Sequence, residues 1–90
     1  MSTLKIPAPL RSYTNGSSEV NVQGATVREA MSHLIEQFPS LKPHLYNGDG
    51  ELRPFVTLFV ESDNVRDLQG METPLESNAL IRLIPSIAGG

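Results

Sequence analysis

The sequence predicts a small α+β domain, and three observations carry that prediction. Residues 26–38 have the period of an amphipathic helix; short β-rich segments flank them in the order strand, strand, helix, strand, strand; and 90 residues at 39% hydrophobic content suffice for one core, not two. The chain has no cysteine, which excludes a disulfide framework and a thiol nucleophile. Regular elements with short connections must therefore hold it together by packing.

The first element is a strand over Leu4 to Pro7, with Leu4 and Ile6 at alternating positions. Asn15-Gly16-Ser17 supplies a loop, after which Val20 and Val22 alternate in a second strand over Glu19 to Gln23. The two read as a hairpin with a longer connection. The helix begins at Thr26: Val27, Ala30, Met31, Leu34, Ile35 and Phe38 fall on one face. Thr26 and Glu29 form an S/T-x-x-E capping box, in which the Thr hydroxyl accepts from an orphan N–H while Glu29 reaches back to the cap residue. Pro39 ends the helix, because the residue before a proline is pushed out of the α region.

Ser40 to Tyr46 reads as a short helical turn, and Asn47-Gly-Asp-Gly50 as a tight turn. Phe55 to Glu61, rich in β-branched and aromatic residues, is the third strand. The stretch from Ser62 to Glu76 holds too much Asp, Asn, Gly and Pro for a long element, so it is read as loop with at most a short turn or strand near Leu68 or Thr73. Ala79 to Pro85 is the last strand, with Leu80, Arg82 and Ile84 on one face and Ile81 and Leu83 on the other. One face then packs on the helix, and the other either meets a partner or faces solvent at an edge. The compact arrangement that fits this order is a β-grasp: a mixed sheet of four to five strands, one main helix packed across it, and the first and last strands side by side at the centre.

The chain closes on Ile87-Ala88-Gly89-Gly90 directly after that last strand. Two terminal glycines arise by chance in about one chain in two hundred at a Gly usage of roughly 7%, so position rather than composition makes them notable. Without a Cβ, a Gly-Gly end passes through a narrow channel and presents its carboxylate to another protein's active site. Residues 1–90 are thus read as a single domain with a flexible tail over 86–90, and Gly90 as a reacting group.

The remaining polar groups have ordinary structural readings. His33 and His44 lie on opposite sides of Pro39 with no further ligand at metal spacing, and His33 falls on the polar helix face, so no metal site is expected. Asp49 with Glu51 and Asp63 with Asp67 sit in turn-rich loops, where Asp is favoured for local hydrogen bonding. Gly48-Asp49-Gly50 lacks the Lys-Ser/Thr of a phosphate loop. Seven Lys and Arg against ten Asp and Glu give a net charge of −3 with the cations scattered, so nucleic acid is not an expected partner. With no apolar run long enough for a bilayer and no leader-like N-terminus, the expected compartment is the cytoplasm, without membrane association.

Ile6-Pro7-x-x-Leu10-Arg11, the capped helix from Thr26, Phe55-Val-Thr-Leu-Phe-Val60, Asn64-Val65-Arg66 and Leu83-Ile-Pro-Ser-Ile-Ala-Gly-Gly90 together resemble the MoaD/ThiS sulfur-carrier family over nearly the whole chain. Within it, the stretch from Ile6 to Gly16, the loop before Phe55 and the Ala-Gly-Gly end resemble the CysO type. One departure is Glu76-Ser77-Asn78, where many relatives carry Asp-Gly-Asp before the last strand.

The resemblance implies a ubiquitin-like β-grasp protein that is a carrier and not an enzyme. Its Gly90 carboxylate would be adenylated with ATP by an E1-like adenylating and sulfurtransferase partner, then converted to a thiocarboxylate. No cofactor would be bound by the chain itself, since the ATP is used by that partner. Gly89, Ala88 and Ile87 would set the tail's fit in the partner, while Ile84, Arg11 and Pro7 match positions that face partner proteins. A cysteine synthase-like enzyme is the expected sulfur acceptor. The alternatives are the small subunit of molybdopterin synthase, docking on its large subunit, and a ubiquitin-like protein modifier.

Overall fold

The computed structural model describes residues 1–85. Among these described residues, five strands form one mixed sheet: β1 (Ser2–Lys5), β2 (Glu19–Val22), β3 (Val56–Val60), β4 (Asp63–Asn64) and β5 (Leu80–Pro85), in the order β2-β1-β5-β3-β4. β1 and β5 pair in parallel and the other neighbours are antiparallel. The first and last strands are therefore neighbours at the centre, as the β-grasp expectation required. Helix α1 (Val27–Gln37) packs across one face, and a short second helix, α2 (Lys42–Leu45), follows it after a 3-10 turn over Pro39–Leu41.

Alternation sorts the residues. Leu4 and Ile6 from the first strand and its exit, Val20 and Val22 of β2, Val56 and Leu58 of β3, and Ile81 and Leu83 of β5 are buried against Val27, Ala30, Met31 and Leu34 of α1. Leu41 and Leu45 close the far side of this core, which is why the Pro-containing segment after α1 folds back rather than extending into solvent. Burial also pushes the Tyr46 phenol above its ordinary value of 10.0, partly offset by the Arg28 guanidinium, so the ring packs as a neutral group.

Several boundaries differ from the sequence reading. β1 begins at the buried Ser2, whose polarity hid its place opposite Val22, and ends before Pro7. Pro7 instead caps a 3-10 helix over Ala8–Thr14, inside what was read as loop: its carbonyl accepts from the Leu10 N–H at 3.0 Å, and the fixed φ of Pro9 suits the first turn. The buried Thr14 hydroxyl there is bonded to the carbonyls of Arg11 and Ser17 at 3.1 and 2.9 Å. The edge strand β4 lies at Asp63–Asn64 rather than near Leu68 or Thr73, and 3-10 turns occupy Val65–Asp67 and Gly70–Glu72.

The helix start is half as expected. Thr26 accepts from the Glu29 N–H at 3.3 Å, but Glu29 accepts from the N–H of Ala25, one residue ahead of the cap, at 2.8 Å. Gly24 explains the shift. Its φ is +153°, and an added Cβ would lie 2.7 Å from both the Ala30 nitrogen and Glu29 Cβ. The chain thus crosses the helix start at a distance that only glycine permits, and this crossing brings the Ala25 N–H to the carboxylate. Gly24→Ala should lower stability by roughly 1–3 kcal/mol, the cost of forcing a methyl into packed backbone. Urea unfolding checks this, with a wild-type midpoint as the contrary result.

Candidate functional site

β5 positions the end of the chain. It is held on both sides: Thr3, Leu4 and Lys5 lie opposite Leu80, Ile81 and Arg82, while Val56 to Val60 lie opposite Pro85 to Ile81 in antiparallel register. The strand is paired up to Pro85, the last described residue. Five residues separate it from the end of Gly90, a span of at most about 17 Å at full extension. Ile87, Ala88, Gly89 and Gly90, the tail expected over 86–90, lie outside the described residues.

The structure brings the three expected interface residues to the same end of the sheet. Because β1 runs parallel to β5, Ile6 and Pro7 leave the sheet at the end where Ile84 and Pro85 do. Ile84 is 44% exposed on the face away from α1, opposite Thr57 of β3. Arg82 is exposed on the same face, flanked by Lys5 and Phe59. Arg11 is exposed, yet its Nε donates to the Ile6 carbonyl at 3.1 Å. That bond gives Arg11 a structural task beside any contact with a partner. Pro7 is half-buried as the cap of the 3-10 helix.

Other side chains take structural roles. His33, read as solvated, accepts the N–H of Gln23 on Nδ1 at 2.8 Å and so ties α1 to the end of β2. His44 lies 4.2 Å from the Tyr13 ring, centroid to centroid, at a tilt of 32°. Asn47 accepts from the N–H groups of Asp49 and Glu51, as turn chemistry predicts for that loop. No group of three or more His, Asp or Glu is arranged to hold a metal ion among the described residues.

The profile of the ThiS family matches residues 4–90, through the final glycine. The chain belongs to the ThiS family. Among similar ThiS-family proteins, the sulfur carrier protein CysO of Mycobacterium bovis is 29% identical over 90 residues, covering 98% of this chain and 97% of that protein. A chain of the Amycolatopsis orientalis BexX/CysO complex superposes at a TM-score of 0.90, with 29% identity and full coverage of both chains. The small archaeal modifier protein 1 of Methanosarcina acetivorans superposes at 0.88, with 27% identity over 99% of this chain and 95% of that one.

The β-grasp expectation and the likeness to the CysO type are therefore both borne out. This is a ThiS-family chain of the sulfur-carrier kind with modifier relatives, and proteins of that kind are small carriers rather than catalysts. Among the described residues no helix is long and apolar enough to cross a membrane. The sequence reading missed Phe59 as an outer-face neighbour of Arg82; the signal was available, since Phe55, Thr57 and Phe59 alternate with Val56 and Leu58.

Proposed function

We propose that this chain carries sulfur on Gly90 in the cytoplasm, for a biosynthetic enzyme that makes cysteine. The family match that runs through Gly90 is the observation that supports this reading most strongly. A carboxylate is a poor electrophile until one of its oxygens belongs to a good leaving group. In an E1-like partner, a Gly90 carboxylate oxygen attacks the α-phosphorus of ATP and pyrophosphate departs, leaving an acyl adenylate. Hydrosulfide then attacks the acyl carbon, AMP leaves with that oxygen, and a proton is released. The product is a thiocarboxylate whose soft, polarizable sulfur attacks an electrophilic carbon held in a cysteine synthase-like acceptor and displaces its leaving group; hydrolysis of the acyl–sulfur bond then frees the sulfur-bearing product and restores the Gly90 carboxylate. Gly89, Ala88 and Ile87 give the tail its narrow profile, and Ile84, Arg11 and Pro7 contribute to docking at its root.

The experiment is intact-mass analysis of the purified chain after incubation with ATP, hydrosulfide and an E1-like activating enzyme of this family. The expected result is a gain equal to one sulfur replacing one oxygen, located at Gly90 by fragmentation. An unchanged mass under conditions that thiocarboxylate a CysO control overturns the proposal. The resemblance to the archaeal modifier favours a second reading, conjugation through Gly90 to lysines. Isopeptide-linked Gly90 in a cell digest would support that reading.

A further inference from the structure

A groove of about 560 Å³ opens beside the root of the tail. Leu10 of the 3-10 helix, Pro43 and His44 of α2, and Arg53 and Phe55 ahead of β3 form its walls together with Pro85. Its lining is mainly apolar, and Phe55 is 38% exposed there although Val56, its neighbour in the chain, is buried. Arg53 is fixed on the rim, with Nε donating to the Pro43 carbonyl at 3.0 Å. The remaining guanidinium N–H groups make no hydrogen bond among the described residues. None of the described residues lining this groove carries a carboxylate. At the opposite end of β5 the pattern reverses: a second hollow is rimmed by Glu61, Asp63 and Glu76 with no Lys or Arg.

The geometry points to this groove as the seat for a segment of the enzyme that acts on Gly90, an apolar side chain with a carboxylate beside it. This inference rests on the carrier reading and adds where the partner grips. Two arguments select the occupant. Pro85 is part of the wall and Gly90 lies within about 17 Å of it along the chain, so an enzyme holding the terminal carboxylate must cover this end of the domain. The charge then fixes the chemistry: an apolar group fills the space between Leu10 and Phe55, and its neighbouring carboxylate meets Arg53 at the rim. The acidic hollow at the other pole disfavours the reversed approach of the same surface, so the paired ends orient the encounter.

The test combines mapping with kinetics on the full chain. Adding the activating enzyme to isotope-labelled protein should attenuate the amide signals of Leu10, His44, Arg53 and Phe55. In the ATP-dependent adenylation assay, Phe55→Ser and His44→Glu should each raise the KM for the carrier about tenfold at unchanged kcat, the signature of lost binding at an anchoring contact. The mapping uses the unmodified chain, so it decides the matter even if a variant misfolds. Wild-type turnover with unchanged KM in both variants, or attenuation confined to Phe59, Arg82 and Ile84, overturns the inference alone. Absence of wild-type turnover overturns the carrier reading and this inference with it. Groove signals that shift with protein concentration, or on deleting residues 86–90 without enzyme, identify a second copy or the chain's own tail as occupant and equally overturn it.

Discussion

Deleting Gly90 should abolish ATP-dependent sulfur loading, and the reason is reach rather than loss of a functional group. The shortened chain still ends in a carboxylate, now on Gly89, with the same intrinsic reactivity toward the α-phosphorus of ATP. That carboxylate stands about 3.5 Å short along an extended chain. An in-line attack needs reacting atoms roughly 3–3.5 Å apart, and a displacement of even about 1 Å costs on the order of a hundredfold in rate. A deficit of a whole residue cannot be recovered from upstream, because β5 is paired on both sides up to Pro85 and sliding it would break its pairing with β1 and β3. The deletion should therefore lower the rate of thiocarboxylate formation by at least about a hundredfold. The folded domain should melt as the wild type does. Intact mass against time, with thermal melting as control, makes the measurement. Loading at the wild-type rate would show that the terminal residue is not the acceptor.

Much of this was legible in the sequence, for identifiable physical reasons. The helix announced itself because burial repeats with the helical period from Val27 to Phe38, and its limits followed from a hydroxyl at Thr26 and a ring at Pro39. The central pairing of the first and last strands followed from topology, since one helix must cover a sheet built from both ends of a short chain. The glycine doublet stood out by its position directly after the last strand, and alternation put Leu80, Arg82 and Ile84 on one face of β5 without saying that Ile84 would be exposed.

What escaped notice depends on distance in sequence. The 3-10 helix over Ala8–Thr14 has no periodic stripe long enough to register, and β4 is two residues whose identity as strand comes wholly from β3. Nothing in the residues around Gly24 reveals the backbone of α1 that lies against it. The groove is the extreme case: Leu10, His44, Phe55 and Pro85 come from four separate parts of the chain. Each has an ordinary local explanation, and only their convergence makes a surface.

Two isoleucines three residues apart on β5 should respond oppositely to the same substitution. Ile81 is fully buried, with Leu4 on one neighbouring strand and Val60 on the other, at the middle of the sheet under α1. Truncating it to alanine removes buried methyl and methylene groups and leaves a void that strands paired on both sides cannot close, which costs about 2–5 kcal/mol. A domain of this size has a total stability of about 5–15 kcal/mol, so the melting temperature should fall by roughly 8–40 °C at about 4–8 °C per kcal/mol. Ile84→Ala removes the same atoms from a side chain 44% exposed on the other face, where the stability change should stay within about 0.5 kcal/mol. If Ile84 docks partners, its truncation should instead raise the KM for the activating enzyme while the melting temperature holds, because the lost contact belongs to the complex and not to the fold. Thermal unfolding and adenylation kinetics on the two variants therefore form a crossed design, in which Ile81→Ala moves the first measurement and Ile84→Ala the second. A large melting shift in Ile84→Ala would assign that face to structure rather than docking, and an unshifted melt in Ile81→Ala would contradict the packing of β5 under α1.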